Sequence, residues 1–364
     1  MNTYKLLTPG PLTTTSTVKQ EMLVDRCTWE NDYKEITQKI RSQLLELAYA
    51  ANGEYTAVLM QGSGSFVVES VLTTALSKSD KVLIITNGAY GKRIVKMAEC
   101  IGLNHVEYGV EYNEYPKEAE IRNILLDDRD ITHIAMVHCE TTTGILNPIE
   151  MVSKISNEQG KSLIIDAMSS FGGVEMNVPE LGIDYLISSA NKCIQGIPGF
   201  GFVIAKLEKL LACEGNARSL SLDLYDQWKE MDKDGKWRFT SPTHVVAAFA
   251  KALEELTEEG GIPARFTRYK NNNDRLRELM GKLGIHAYIS PDKQSPIITT
   301  FLFPTETFDF GDFYNFIKER GYVIYPGKLT DIDTFRIGNI GEIHEEDIEE
   351  LGRIVEKYMK VVTV

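Results

Sequence analysis

Lys192 is the only side chain charged at neutral pH in residues 185–205, YLISSANKCIQGIPGFGFVIA, a stretch that otherwise reads as buried. Taking an ammonium out of water is costly, so such a lysine is paired, has a lowered pKa or is used covalently, unless its stem snorkels to solvent. A second stretch, residues 163–174, LIIDAMSSFGGV, has Asp166 as its only charge. Asp166 closes one apolar run of strand type, and Lys192 follows another at 185–189. A third run, 201–205, comes after a loop broken by Gly196, Pro198 and Gly199.

The two charges lie 26 positions apart, each at the carboxyl end of an apolar strand. That placement fits an open α/β sheet, in which ligands bind outside those strand ends. One chemistry needs both residues. In pyridoxal phosphate catalysis a lysine forms the Schiff base and an acid keeps the pyridine nitrogen protonated, so that the ring draws electrons from the substrate carbon.

The elements that would position them alternate. Strand 56–60 runs into QGSGS at 61–65 and then a helix at 67–76. A Gly/Ser turn opening a helix offers free N–H groups to an anion, or is a plain tight turn. Val67 stands where a dinucleotide fingerprint needs its third glycine, and no GK[ST] follows. Strand 81–86, turn 87–91 and helix 92–101 repeat the pattern, as do strand 132–138, loop 139–148 and helix 149–159. The alternation predicts a mostly parallel sheet covered on both faces. Tyr90, at one strand-to-helix turn, is a ring that stacks on a flat cofactor or simply packs. Thr141, Thr142 and Thr143 bring hydroxyls to another strand end. His138 and Cys139 point to opposite faces of their strand and make a poor nucleophilic pair.

Upstream, the Pro/Gly segment 8–11 is a candidate to line a cleft, and an amphipathic helix at 32–50 carries Ile36, Ile40, Leu44 and Leu47 on one face. After Lys206 the rhythm stops, and residues 218–244 read as a long aromatic and charged connection, functional or at an interface. Helices at 245–258 and 262–283 follow. Strands at 297–303, 323–325 and 334–337 and helices at 312–320 and 345–358 then form a smaller α+β region. The expected division is a large domain at 1–243, including the N-terminal segment, and a small one at 244–364. Arg336 is the only cation in TFRIGNIGEI. Its planar fork suits a carboxylate or phosphonate, or a structural salt bridge.

Composition bounds the partners. The 364 residues, 43% hydrophobic and 25% charged, suit a soluble globular protein of two domains. With 52 acidic against 39 basic residues the net charge is −13, which argues against nucleic acid or anionic membrane and leaves an anionic substrate in need of a local cation. No apolar run approaches the ~18 residues of a membrane span. MNTYKLLTPGPL has neither the h-region of a signal peptide nor a transit pattern, so the expectation is cytoplasmic. Five cysteines without CxxC spacing suit reduced thiols, and six histidines without HExxH give no metal site.

TPGPL at 8–12, QGSGS, NGAYG, HCETTTGILNPI, IDAMSSFGG, SANKCIQGIPGFGF, RSLSLDLYDQW, KWRFTSPTH, VIYPGKL and FRIGNIGE together span almost the whole chain. In these blocks the chain resembles the 2-aminoethylphosphonate–pyruvate aminotransferases, in class V of the fold-type I pyridoxal phosphate enzymes, the branch that also holds alanine–glyoxylate aminotransferase. IDAMSSFGG and SANKCIQGIPG are the specific blocks; QGSGS and RIG mark the wider branch. The resemblance implies an α/β fold, with a mostly parallel, seven-stranded-type large domain and a small C-terminal α+β domain.

It implies ping-pong transfer of the amino group of 2-aminoethylphosphonate to pyruvate, giving phosphonoacetaldehyde and L-alanine. The alternative is an alanine or serine donor with glyoxylate or pyruvate. By the resemblance, Lys192 binds pyridoxal 5'-phosphate and shuttles the proton, Asp166 partners the pyridinium, and Tyr90 stacks. Thr142 lies near the phenolic oxygen, while Gly62, Ser63 and Gly64 cradle the phosphate. Thr240 reaches that phosphate from the second subunit of a homodimer with composite sites, and Arg336 clamps the substrate anion. A cysteine desulfurase would need a mobile thiol, which Cys193, directly after the lysine, does not offer.

Overall fold

The computed structural model describes residues 4–362 apart from 328 and 330; Lys328 of the VIYPGKL motif and the first three residues of the N-terminal reading lie outside them. The chain opens with strand β1 (Lys5–Leu6), helices α1 (Ser16–Gln20) and α2 (Asn31–Leu47), then β2 (Tyr55–Gln61), α3 (Gly64–Ala75), β3 (Lys81–Thr86) and α4 (Ala89–Ile101). Next come β4 (Asn104–Gly109), α5 (Glu118–Asp127), β5 (His133–Val137), a short hairpin of β6 (Cys139–Glu140) and β7 (Ile145–Leu146), and α6 (Ile149–Glu158). Strands β8 (Ser162–Asp166), β9 (Tyr185–Ser189) and β10 (Phe200–Lys206) complete the large sheet, ahead of α7 (Leu207–Leu211) and α8 (Leu224–Asp234). Long helices α9 (Thr243–Glu259) and α10 (Gly261–Lys282) lead to β11 (Ile298–Leu302), α11 (Phe310–Lys318), β12 (Tyr322–Val323), β13 (Tyr325–Pro326), β14 (Thr334–Gly338) and α12 (Glu345–Val362).

The large sheet has seven strands in the order β2-β10-β9-β8-β5-β3-β4. Neighbours are parallel from β9 through β8, β5 and β3 to β4, while β10 runs antiparallel to both β9 and β2. The inner strands are continuous apolar runs, as a sheet covered on both faces requires. Alternate residues enter different layers: Leu83 and Ile85 pack with α2, α5, α6 and α9, whereas Val82 and Ile84 pack with α3 and α4. Phe200 and Phe249 meet edge to face at 5.1 Å, fixing α9 on this core.

A smaller antiparallel sheet, β11-β14-β13, packs with α10, α11 and α12 around Phe301, Phe313 and Phe335. The first strand is tied to this part, while Val18 of α1 packs in the core of the large sheet. Lys5 and Leu6 pair in parallel with Tyr322 and Val323, and Gly338 N donates to Leu7 O at 2.9 Å.

Three sequence expectations need correction. The connection at 218–244 is not one long loop, because it contains α8, capped by the Asp223 side chain at its start and by left-handed Gly235 (φ 91°) at its end. Helix α4 starts at Ala89 rather than at 92, which puts Tyr90 in its first turn. Strand β4 and helix α5 were not anticipated, since NHVEYG lies at the sheet edge and has only half-buried and exposed residues.

Candidate active site

The carboxyl ends of the parallel strands open into one cavity of about 530 Å³. Six residues expected from the sequence line it together: Gly62, Ser63, Gly64, Tyr90, Asp166 and Lys192. The lysine is held by its loop. Gln195 N bonds Lys192 O at 2.8 Å and Gly196 N bonds Ala190 O at 2.8 Å, closing a tight turn. Gln195 itself sits at φ 68°, a costly conformation for a non-glycine residue, and its amide donates to Tyr269 Oη at 2.8 Å and Gly341 O at 3.1 Å. From the other side Arg265 Nη1 and Tyr269 Oη both donate to Cys193 O.

The two specific blocks pack on each other. A Cβ on Gly172 (φ 86°) would stand 2.6 Å from Ile194 Cγ1, and one on Gly173 would stand 2.6 Å from Cys193 Sγ. Cys193 Sγ donates to Ser169 O at 3.2 Å. It is fully buried, and burial pushes its thiol well above the ordinary range, which disfavours the nucleophilic thiolate.

Lys192 Nζ donates to Pro9 O at 2.7 Å. Desolvation lowers its pKa, against the opposing pull of Tyr90, Cys193 and Asp166. The N-terminal segment, expected to line the cleft, is not among the residues that line the cavity, but it packs directly against the lysine. Gly10 adopts φ 127°, and a Cβ there would stand 2.8 Å from both Cδ and Nζ of Lys192. Asp166 ends β8 and accepts from Met168 N at 2.9 Å. Burial raises its carboxyl to about 6, with the Met168 amide and the charges of Lys192 and Arg93 working against the rise.

On the same cavity α3 begins at Gly64, and its N-cap Ser63 makes no side-chain cap bond. The first amides of this helix therefore keep their anion-binding capacity on the cavity wall. Gly64 is packed so closely that a Cβ would meet Met168 Sδ at 2.5 Å. Ser189 Oγ, on the same cavity, is buried with no hydrogen-bond partner among the described residues.

Three expected residues are not among those lining the cavity. Thr142 is fully buried; its hydroxyl donates to Glu140 Oε1 at 2.5 Å and accepts from Ala89 N at 3.0 Å. Arg336 is 3% exposed, donating from Nε to Pro326 O at 3.0 Å and from Nη1 to Thr141 O at 2.9 Å. Burial depresses its guanidinium, while charge and hydrogen bonding from Tyr90 oppose the fall. Thr240 is exposed.

Sequence reading missed Glu140 and Arg93. Glu140 is fully buried and accepts from Tyr90 N, Gly91 N and Thr142 N at 3.0–3.1 Å, which ties the start of α4 to the β6–β7 hairpin. Burial raises its pKa against those bonds, and a Cβ on Gly88 would clash with it at 2.3 Å. It stands alone among apolar and hydroxyl residues, the very signal that singled out Asp166. Arg93 lines the cavity with its guanidinium 4.8 Å from the Tyr90 ring centroid.

Known proteins carry the same framework. The profile described as Aminotransferase class-V matches residues 25–334. A Lysinibacillus sphaericus (strain C3-41) protein named 2-aminoethylphosphonate–pyruvate transaminase is 64% identical over 361 residues, 99% of each chain. One of the same name from Bacillus cereus (strain AH820) is 56% identical over 364 residues, covering 100% of this chain and 99% of its own. In three dimensions the chain superposes on pyridoxamine–pyruvate aminotransferase from Mesorhizobium loti with a TM-score of 0.89 at 21% identity, covering 98% of this chain and 93% of the other. That likeness shows the fold; the profile and the full-length identities go further, and by them this chain belongs to the class-V aminotransferases.

Proposed function

We propose that the chain is a pyridoxal phosphate-dependent transaminase that moves the amino group of 2-aminoethylphosphonate to pyruvate, a step of phosphonate catabolism. The observation that carries the substrate is the 64% full-length identity to a relative of that name. The chemistry rests on Lys192 and Asp166 lining one cavity.

The residues present fit the cofactor. The orphaned Ser189 hydroxyl and the open start of α3 at Gly62, Ser63 and Gly64 suit its phosphate, and the buried Asp166 carboxylate suits its ring nitrogen. Tyr90 would stack on the ring and Thr142 stand towards its phenolic oxygen. When bound, pyridoxal phosphate supplies the electron sink that makes a proton on the amino-bearing carbon removable. Lys192 Nζ, with its ammonium destabilised by burial, would hold the cofactor covalently and, once displaced by the donor's amine, would be placed to carry that proton. Asp166 would be held anionic by a cationic ring nitrogen of the bound cofactor, which would offset the desolvation that raises its carboxyl here. Arg336 orients the substrate anion through the part of its fork left free by Pro326 and Thr141.

Exposed Phe66, Phe239 and Leu220 near these elements, at 54%, 41% and 74%, support a homodimer whose partner covers them and brings in its own Thr240. Among the described residues no helix is long and apolar enough to cross a membrane. Five free thiols support a cytoplasmic setting.

An amino-donor screen with pyruvate, followed by L-alanine formation, tests the reading. The expected result is a higher kcat/KM for 2-aminoethylphosphonate than for alanine or serine, and for pyruvate than for glyoxylate. A preference for the alanine and glyoxylate pair would move the chain to the alternative within the same branch.

A further inference from the structure

Tyr90 stands between two guanidiniums, Arg93 over its ring face at 4.8 Å and Arg336 beside its side chain. They are not equivalent. Arg336 is buried and spends Nε and one Nη1 hydrogen on the carbonyls of Pro326 and Thr141. Arg93 gives nothing to the backbone; its Nη1 lies 3.4 Å from Ser65 Oγ, on the wall where α3 begins. Among the described residues no carboxylate is within ion-pair distance of Arg93, although it lines the cavity. The partnerless, 2%-exposed Ser189 hydroxyl shares that cavity, a second mark of a polar ligand.

The charge to be held is large. A phosphate monoester carries between one and two negative charges near neutrality, a phosphonate similarly, in a chain whose net charge is −13. A single, partly engaged guanidinium leaves much of that charge uncompensated, and a second fork that stacks on an aromatic ring is suited to the rest. We propose that Arg93 is a second anion-binding residue of the site, taking a phosphate or phosphonate dianion at the Gly62–Ser65 end of the cavity. The identity of the dianion rests on the transaminase reading: cofactor phosphate and donor phosphonate offer the same chemistry. Helix α4 positions the fork, because Arg93 follows Tyr90 by three residues and shares its face.

The test compares the wild type with Arg93→Gln and Arg93→Lys. Each cofactor-free protein is titrated with pyridoxal phosphate and with pyridoxal, which keeps the ring and lacks the phosphate. On cofactor-saturated protein, kcat/KM is measured for donor and for pyruvate. Loss of pyridoxal phosphate affinity by about 10–100-fold in Arg93→Gln, with pyridoxal unchanged and partial recovery in Arg93→Lys, supports the assignment with the cofactor phosphate as occupant. A similar loss in kcat/KM for the donor, with cofactor affinity and pyruvate unchanged, supports it with the donor phosphonate as occupant. All four quantities within about twofold of wild type would overturn it. So would equal losses for pyridoxal and pyruvate, which would make Arg93 a support for Tyr90 and nothing more. Should the wild type fail to use 2-aminoethylphosphonate, the substrate reading falls while the pyridoxal comparison still decides Arg93.

Discussion

Gly10 and Lys192 are in contact where only a glycine fits: a Cβ on Gly10 would stand 2.8 Å from the lysine Nζ. The backbone there is at φ 127°, outside the range L side chains adopt readily. Gly10→Ala should therefore displace the reactive nitrogen as well as strain the segment, lowering kcat by about tenfold or more with a stability loss of about 1–3 kcal/mol. Steady-state kinetics beside a thermal melt checks this; unchanged kcat would show that Nζ does not depend on the N-terminal segment.

Asp166 predicts a pH signature that needs no cofactor. Its carboxyl is raised from 3.8 to about 6, chiefly by burial. Between those values the folded chain binds more protons than the unfolded one, so the group's contribution to stability falls as pH rises through the window. Its penalty is complete above about 6. Cofactor-free Asp166→Asn should then be more stable than wild type at about pH 8, by up to about 3 kcal/mol, with the gap closing towards pH 4. Melts across that range decide it, and a gap independent of pH counts against the burial argument. With cofactor present the same variant should lose most transamination; near-normal turnover would leave Asp166 a structural residue.

For Arg336 the expectation is a loss shared by both half-reactions. Lys keeps the charge but cannot reach Pro326 O and Thr141 O while offering a planar fork to the substrate. Arg336→Lys should lower kcat/KM about 10–100-fold for amino donor and pyruvate alike. A loss confined to one substrate would separate their binding sites.

Subunit mixing examines the composite site. Lys192→Ala and Thr240→Ala proteins, each impaired alone, should regain part of their activity once subunits exchange, since hybrid dimers carry one site free of both changes. Exchange proven by differential labelling, with no rescue, would return Thr240 to its own subunit or away from the phosphate.

Much of the framework was legible because burial on both faces writes itself as uninterrupted apolar sequence. Strands at 81–86 and 185–189 have the bounds that reading gives. The edge strand Asn104–Gly109 escaped because its residues are mostly half-buried or exposed and carry no such run. Helix α8 escaped for another reason. Its apolar residues Leu224, Tyr225, Trp228 and Met231 are helically spaced but diluted by charge, so a hydropathy reading sees a loop. In the site, Asp166 and Lys192 stood out as lone charges, and Glu140 satisfies the same test. Arg93 could be found only once α4 was known to start at Ala89, which sets it on one face with Tyr90. That the Thr142 hydroxyl accepts from Ala89 N, on another strand-to-helix turn, is a tertiary fact with no local trace.

The pairing of β1 with β12 has a mechanical side. Lys5–Leu6 is fastened to the small sheet, yet Pro9, three residues beyond, accepts from a lysine fastened to the large one. Close approach extends the fastening, since a Cβ on Gly338 would stand 2.5 Å from Thr8 O. The segment from Leu7 to Gly10 is thus a short lever. Its Pro9 carbonyl therefore ties the small sheet to the Lys192 nitrogen through one hydrogen bond of 2.7 Å.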